Sequence, residues 1–386
     1  MIRETILPGW GETAPCPNAR AVEVDLLGKS TVFYLTGKRL MLEGFWYIAA
    51  ETRRVKPGRP TAATLLNQPI VLFRDPSHTV HALEDRCTHR GVPLSAGWQE
   101  GNSIRCRYHG WRFSSGGECM EVPAQAEECP IPKASSVRSF PVHEQDGWIW
   151  VYFGTDRWPK PAAPPPMFPV PADGSPVSLM RMSLPVNARM DLAVDNFIDA
   201  AHVPFVHHGL FRQRHVPKLK EKEYTRLAQG FRTVANNIRL PNTIVFRVLN
   251  PGLAPAKTTV DFLMPGIHTE TFEVGARWGA IMVVVTPLTE KTTRLDFTMG
   301  WNFLRGWFPL VWLARLIAGK ALRQDRDIVE LQERGHQTKT TMNLSLDSDQ
   351  LAVWYRRLQK YHLDQQAGRN DLVHPVPEKT TLRWRT

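Results

Sequence analysis

A chain of 386 residues with 42% hydrophobic and 22% charged content has material for two domains, or for one large domain carrying a smaller one, and falls outside the disordered, collagen-like and acidic-tail classes. Its 48 Lys and Arg against 37 Asp and Glu leave a net charge of +11, enough to steer an acidic partner or an anionic substrate without identifying either. The five cysteines, Cys16, Cys87, Cys106, Cys119 and Cys129, are too few and too unevenly placed for a secreted disulfide framework, which predicts a reducing, cytoplasmic compartment.

At the N-terminus, Glu4, Pro8, Gly9 and Gly11 stand where an export signal would need an apolar core, so none is expected. Short β-rich runs then follow one another between turn residues: Pro69 to Arg74, Thr79 to Leu83, Ser103 to Cys106 and Gly147 to Phe153. They predict a small all-β unit. Seven prolines between Pro159 and Pro171 disfavour regular structure and mark a linker.

Beyond the prolines, Asn187 to Val206 reads as a helix ended near Pro204. Lys257 to Leu263, His268 to Val274, Gly279 to Pro287 and Thr292 to Trp301 read as successive strands of one antiparallel sheet. The apolar stretch Trp307 to Gly319 is interrupted by Arg315 and is too short to span a bilayer. Leu310 to Glu333 has the spacing of a long amphipathic helix, with Gly319 as a potential break, and Leu351 to Tyr361 reads as a terminal helix. The fold class is therefore α+β: an all-β module joined to a domain with a central antiparallel sheet flanked by helices.

Two groups of residues carry chemistry. The first is Cys87-Thr88-His89, sixteen intervening residues, then Cys106-Arg107-Tyr108-His109. Two thiolates and two imidazoles bind a 2Fe-2S cluster with sulfur on one iron and nitrogen on the other, and the same donors also suit tetrahedral zinc. Gly91 and Gly110 give each pair a loop whose amides can donate to sulfur, and Pro123-Ala124-Gln125 is expected to pack beside them. Cys16, Cys119 and Cys129 have no comparable partners and are assigned no chemistry.

The second group begins with Asn196, Asp199, His202, His207 and His208. His202 and His207 are five apart, and Pro204 turns the second imidazole inward; His208 is the alternative to His207. Two histidines and one carboxylate form a facial triad for Fe(II) with positions open to dioxygen. The carboxylate is assigned to Asp325, three residues from the apolar Ile328 on the long helix. Asp327, its alternative, is rotated about 200° away by the helical period.

In this order, Cys-x-His with Cys-x-x-His, followed by Asn196-x-x-Asp199-x-x-His202-x-x-x-x-His207 and a late Asp325, the chain resembles the α subunits of Rieske non-haem iron oxygenases, in particular the vanillate demethylase-like branch. Trp111 after the second cluster histidine is also familiar in that family. The resemblance covers Phe45 to Gln332. It implies an N-terminal extension over 1–44 packing with the catalytic domain, a Rieske domain over 45–156, a linker over 157–172 and a catalytic domain over 173–386. It implies one 2Fe-2S cluster on Cys87, His89, Cys106 and His109, and one mononuclear Fe(II) on His202, His207 and Asp325. Asn196 and Asp199 would be catalytic, Asp199 linking His109 of one subunit to His202 of its neighbour, which implies a homotrimer.

No nucleotide-binding glycine fingerprint or four-cysteine ferredoxin pattern is present, so NAD(P)H is expected to act only through a separate reductase or ferredoxin. The expected reaction is hydroxylation or oxidative demethylation of a small aromatic or cyclic molecule, monooxygenation ahead of arene cis-dihydroxylation. Candidate pocket residues are Phe197, Phe205, Phe246, Phe262, Met264 and Trp301. Arg189, Arg239, Arg247 and Arg294 are candidates for a substrate carboxylate, and the basic stretch His215 to Lys222 for an acidic ferredoxin. A pure electron carrier would need no triad. Nucleic-acid binding is not expected, because no basic tract interleaved with aromatics accompanies the charge.

Overall fold

The computed structural model describes residues 41–126, 128–207, 219–240, 249–338, 341–345 and 348–385, with short strands in 19–37. His208, Phe246, Arg247, Cys16 and residues 215–218 lie outside the described residues.

The all-β unit holds eleven strands: β1 (Phe45–Glu51), β2 (Thr61–Leu65), β3 (Gln68–Arg74), β4 (Val80–Glu84), β5 (Trp98–Glu100), β6 (Ser103–Arg105), β7 (Arg112–Ser114), β8 (Cys119–Glu121), β9 (Ser139–Phe140), β10 (Val142–Gln145) and β11 (Trp148–Phe153). They form three small antiparallel sheets in the orders β8-β7-β6-β5, β9-β4-β3-β2 and β10-β11-β1. Every residue of β11 is buried, because its two faces serve different cores. Ile149, Val151 and Phe153 fill the inside of the β unit, whereas Trp148 and Trp150 join Ile267, Ala280, Met282 and Val284 of the second unit. Trp148 Nε1 also donates to Thr298 Oγ1 at 2.8 Å.

The second unit is built on an eight-stranded antiparallel sheet made of β12 (Ser178–Val186), β13 (Leu219–Leu227), β14 (Gly230–Ile238), β15 (Ala256–Leu263), β16 (Ile267–Val274), β17 (Arg277–Pro287), β18 (Thr293–Trp301) and β20 (Lys379–Arg385). Their order is β12-β18-β17-β16-β15-β14-β13-β20. A separate strand, β19 (Thr341–Ser345), pairs with Ser30–Tyr34, so part of the N-terminal segment meets the C-terminal third of the chain. One face of the large sheet covers the β unit. The other packs under α1 (Met190–Ile198), α2 (Val203–Val206), α3 (Phe308–Thr338) and α4 (Gln350–Gln366).

Two glycines let these layers approach. A Cβ on Gly266 would stand 2.7 Å from Met190 Cε and 2.8 Å from Val194 Cγ2 of α1, so a larger residue there would push the helix off the sheet. Gly319 does not break α3, which runs unbroken to Thr338 with Met182 Cε 3.4 Å from where a Cβ would be.

Local expectations fail in informative ways. The helix expected over Asn187 to Val206 is two helices, and Pro204 lies in the first turn of α2 instead of ending a helix, a position where its missing N–H costs nothing. The proline-rich segment is tied down: Gln145 Nε2 donates to the carbonyls of Pro165 and Pro166 at 3.1 and 3.0 Å, and Phe168 is buried. No helix among the described residues is long and apolar enough to cross a membrane.

Candidate metal centres

The first centre sits on two loops that repeat one backbone design. The Cys87 amide donates to Val92 O at 2.9 Å and the Gly91 amide to Cys87 O at 2.8 Å. In the second loop the Cys106 amide donates to Trp111 O at 2.8 Å and the Gly110 amide to Cys106 O at 3.1 Å. Both glycines have positive φ, 76° and 73°, the left-handed region that admits a side chain at a cost. Pro123 Cγ lies 3.1 Å from where a Gly110 Cβ would be, which places that residue against the second loop as expected.

The loops bury Cys87 and Cys106 and leave His89 exposed and His109 half-buried. The imidazole rings are 4.5 Å apart, and His89 stacks on Trp111 at 4.8 Å with a 4° interplanar angle. His109 Nδ1 is buried with no hydrogen-bond partner, the state of a nitrogen that awaits a metal bond. Burial pushes the Cys87 thiol up, and the neighbouring Cys106 adds to it; a positive metal centre removes that penalty. The four donors fit a 2Fe-2S cluster. Among the described residues they do not gather around one point as a single tetrahedral ion needs, whereas the second centre does.

There, one donor atom from each of His202, His207 and Asp325 lies within 4.8 Å of the other two. His207 Nε2 is 3.0 Å and His202 Nε2 3.6 Å from Asp325 Oδ1. Each histidine turns its other nitrogen to an acceptor: His207 Nδ1 lies 3.1 Å from Gln324 Oε1, and His202 Nδ1, buried and without a hydrogen bond, is 3.6 Å from Asp199 Oδ2. Such partners hold imidazoles with Nε2 free for a metal. Burial works against the charged form of His207, but Asp325 and Gln324 outweigh it and the net direction is up. Asn196 Nδ2 donates to Asp325 Oδ1 at 2.9 Å. The donor set fits a divalent iron with open positions.

Helix α3 delivers Asp325 on its buried stripe of Ala318, Leu322, Asp325 and Val329. Ile328, expected to anchor that face, is 40% exposed, because the i+4 neighbour Val329 takes the inward position. Asp327 is exposed and pairs with Arg326 at 2.7 Å.

Several other expected roles do not fit their surroundings. Arg294 pairs with Asp296 and donates to Ile48 O at 2.6 Å, while Arg189 pairs with Asp191 at 3.3 Å and Glu333 at 3.6 Å. Both work as structural clamps. Arg239 and Phe205 are exposed, and Phe262, Met264 and Trp301 are buried in the core. Within the described part of the basic stretch, Glu221 pairs with Arg383 of β20.

Sequence reasoning passed over His268. Its strand neighbour Ile267 faces the Trp148 cluster, so alternation turns His268 to the helix side, tilted against Phe197 at 6.5 Å. Its Nδ1 is buried and unpartnered. Burial lowers its pKa to about 4, and the Lys222 and His202 charges push in the same direction, so the ring is neutral and close enough to the triad to feel it. The structure pairs His268 across the strands with Phe262, a register that the sequence does not reveal.

Comparison with known proteins agrees with this geometry. Residues 45–141 match the Rieske 2Fe-2S domain family, and residues 186–365 match the C-terminal domain of vanillate O-demethylase oxygenase. The toluene-4-sulfonate monooxygenase system iron-sulfur subunit of Comamonas testosteroni is 36% identical over 44% of this chain and 47% of its own length. Chlorophyllide a oxygenase of Arabidopsis thaliana is 30% identical over 82% of this chain and 56% of its own length. The matches thus span about half the length of these curated relatives. Dicamba monooxygenase bound to 3,6-dichlorosalicylic acid superposes with a TM-score of 0.73 over 86% of this chain and 100% of that one, at 24% identity, a likeness of fold.

Proposed function

We infer that this chain, which belongs to the α subunits of the Rieske non-haem iron oxygenases, is the terminal oxygenase of a multicomponent system. It takes electrons from a separate reductase or ferredoxin and inserts one oxygen atom of O2 into a small aromatic or cyclic substrate, by hydroxylation or oxidative demethylation. The observation that carries this reading is the convergence of His202, His207 and Asp325 in a chain that also presents the two Cys–His loops. We propose the same division as above, with 1–44 as an extension, 45–156 as the cluster domain, 157–172 as the connection and 173–386 as the catalytic domain.

Cys87, Cys106, His89 and His109 would hold the cluster; His202, His207 and Asp325 would hold the iron. When bound, these groups supply single-electron transfer and dioxygen activation. The chain's own residues do the rest. Gln324 holds the His207 tautomer, Asn196 holds the Asp325 carboxylate, and the buried wall of α1 and β16 limits water. His268, whose buried Nδ1 has no hydrogen-bond partner, offers a hydrogen bond that orients a polar group on the substrate. Replacing it in His268→Phe should raise KM about tenfold, one hydrogen bond's worth, with the iron content and cluster spectrum unchanged.

Asp199 touches His202 and the Ala201 amide, and among the described residues it has no ion pair or hydrogen bond with His109. The family's link through Asp199 therefore requires a second copy, which supports a homotrimer. Light scattering of the purified protein should give three chains; a fully active monomer would remove this part of the reading.

The test of function is anaerobic single turnover of reduced, iron-loaded protein with methoxyarenes, aromatic acids and N-methyl compounds under labelled dioxygen. One labelled oxygen in the product, or formaldehyde release, is the expected result. Two labelled oxygens would make the enzyme a dioxygenase. Cluster oxidation without product, with both metal sites filled, would overturn the assigned reaction.

A further inference from the structure

We propose that a cleft at the seam between the β unit and the large sheet binds a small multivalent oxyanion. The cleft has a volume of about 370 Å³ and is walled by Arg53, Arg54, Arg181, Arg294 and Arg315, with Glu51 the one acidic residue in its lining. The arginines come from four places: the turn after β1, strands β12 and β18, and helix α3. Arg315 lies ten residues before Asp325 on α3, about 15 Å along the axis, so this site is separate from the iron triad.

The charge is only partly balanced. Arg53 pairs with Glu51, and Arg294 pairs with Asp296. Arg181 donates to the carbonyl of Asp146, and Arg315 Nη2 to the carbonyl of Arg181 at 3.0 Å. Among the described residues, no carboxylate pairs with Arg54, Arg181 or Arg315. Burial lowers the pKa of Arg181; Asp146 and Glu51 counter that only in part, and Arg53 adds to it. Three guanidinium groups around one cleft, none in an ion pair among the described residues, repel one another, and an oxyanion relieves that repulsion.

The site is also built to hold its shape. Arg181 lies flat over Gly147, whose φ is +75° and where a Cβ would stand 2.5 Å from the Arg181 Cζ atom. Only glycine leaves room for that guanidinium. Guanidinium side chains that line one concave space suit oxygen pairs on phosphate or carboxylate groups. The concavity favours a small molecule over a flat protein surface, and the polar lining excludes an apolar substrate.

A bound anion would cross-link the β unit, the sheet edge and α3, so it should raise the melting temperature of the full-length holoprotein in a saturable way. The probe is pyrophosphate, added at constant ionic strength against chloride and followed by calorimetric titration and thermal melting. One site per chain is expected, with binding weakened at least about tenfold in Arg54→Gln/Arg315→Gln. Both residues are exposed, and the single variant Arg54→Gln serves if the pair perturbs folding. Unchanged binding in the variants, or no saturation below about 10 mM, would overturn the proposal. Tighter binding of a hexaglutamate peptide than of pyrophosphate would also overturn it, in favour of an acidic protein segment. None of these readouts depends on oxygenase activity.

Discussion

Asp325→Ala should abolish product formation, a loss well beyond a hundredfold, while leaving the reduced 2Fe-2S spectrum intact. The carboxylate is the single negative donor among the three groups that converge, with Oδ1 at 3.0 and 3.6 Å from the two histidine nitrogens. Without it, two imidazoles remain, too few for a facial site. Removing an outer partner of a metal ligand costs 10- to 100-fold, so removing the ligand itself costs more, and Asn196→Ala, which frees the Asp325 carboxylate, should fall in that lower range. Asp327→Ala is the internal control, because that side chain is exposed and pairs with its neighbour Arg326. Metal analysis, electron paramagnetic resonance of the cluster and single-turnover product yield read the three variants in parallel. An active, iron-replete Asp325→Ala beside an inactive Asp327→Ala would reverse the ligand assignment.

That choice between two aspartates shows where sequence reasoning works. Helical periodicity separates positions 325 and 327 because they differ by about 200°, and the structure buries the first and exposes the second. The supporting argument was weaker than its conclusion: Ile328 points outward, and Val329 is the anchor. The Cys–His loops were legible because both ligand pairs lie within a few residues of one another and each loop closes on its own backbone. Strands were legible to within a few residues for the same reason.

Long-range partners were not legible. Arg294 and Arg189 are candidates for a substrate carboxylate in the sequence, but their partners are Asp296 and the carbonyl of Ile48 in one case and Asp191 and Glu333 in the other. Asp296 and Asp191 lie two residues from their arginines, but the Ile48 and Glu333 contacts depend on how sheet and helices pack. His268 shows the same limit. Alternation determines that it faces opposite to Ile267, but not which face lies toward the metal.

The second large effect concerns stability. Arg356→Ala should destabilise the fold by about 3–5 kcal/mol, the cost of stranding a buried charge. Arg356 of α4 is 9% exposed at its side chain, forms an ion pair with Asp195 of α1 and approaches Asp191 at 3.7 Å. The pair carries more cost than its geometry suggests. Arg356 Nε and Nη1 and Asp195 Oδ1 are buried without hydrogen-bond partners, and burial pushes the Asp195 carboxyl up to about 7 against the pull of Arg356. An apolar replacement of both residues, Arg356→Met with Asp195→Leu, should therefore recover most of the lost stability. Activity should not recover with it. Asp195 immediately precedes Asn196 and lies on the same helix that leads to Asp199 and His202, so the ion pair also sets the rotation of α1 that aims those side chains. Denaturant unfolding of the wild type, Arg356→Met, Asp195→Leu and the double variant gives the coupling energy directly, and iron content measured on the same samples gives the positioning effect. A double variant as unstable as Arg356→Ala would mean that packing volume, not an unpaired charge, accounts for the loss.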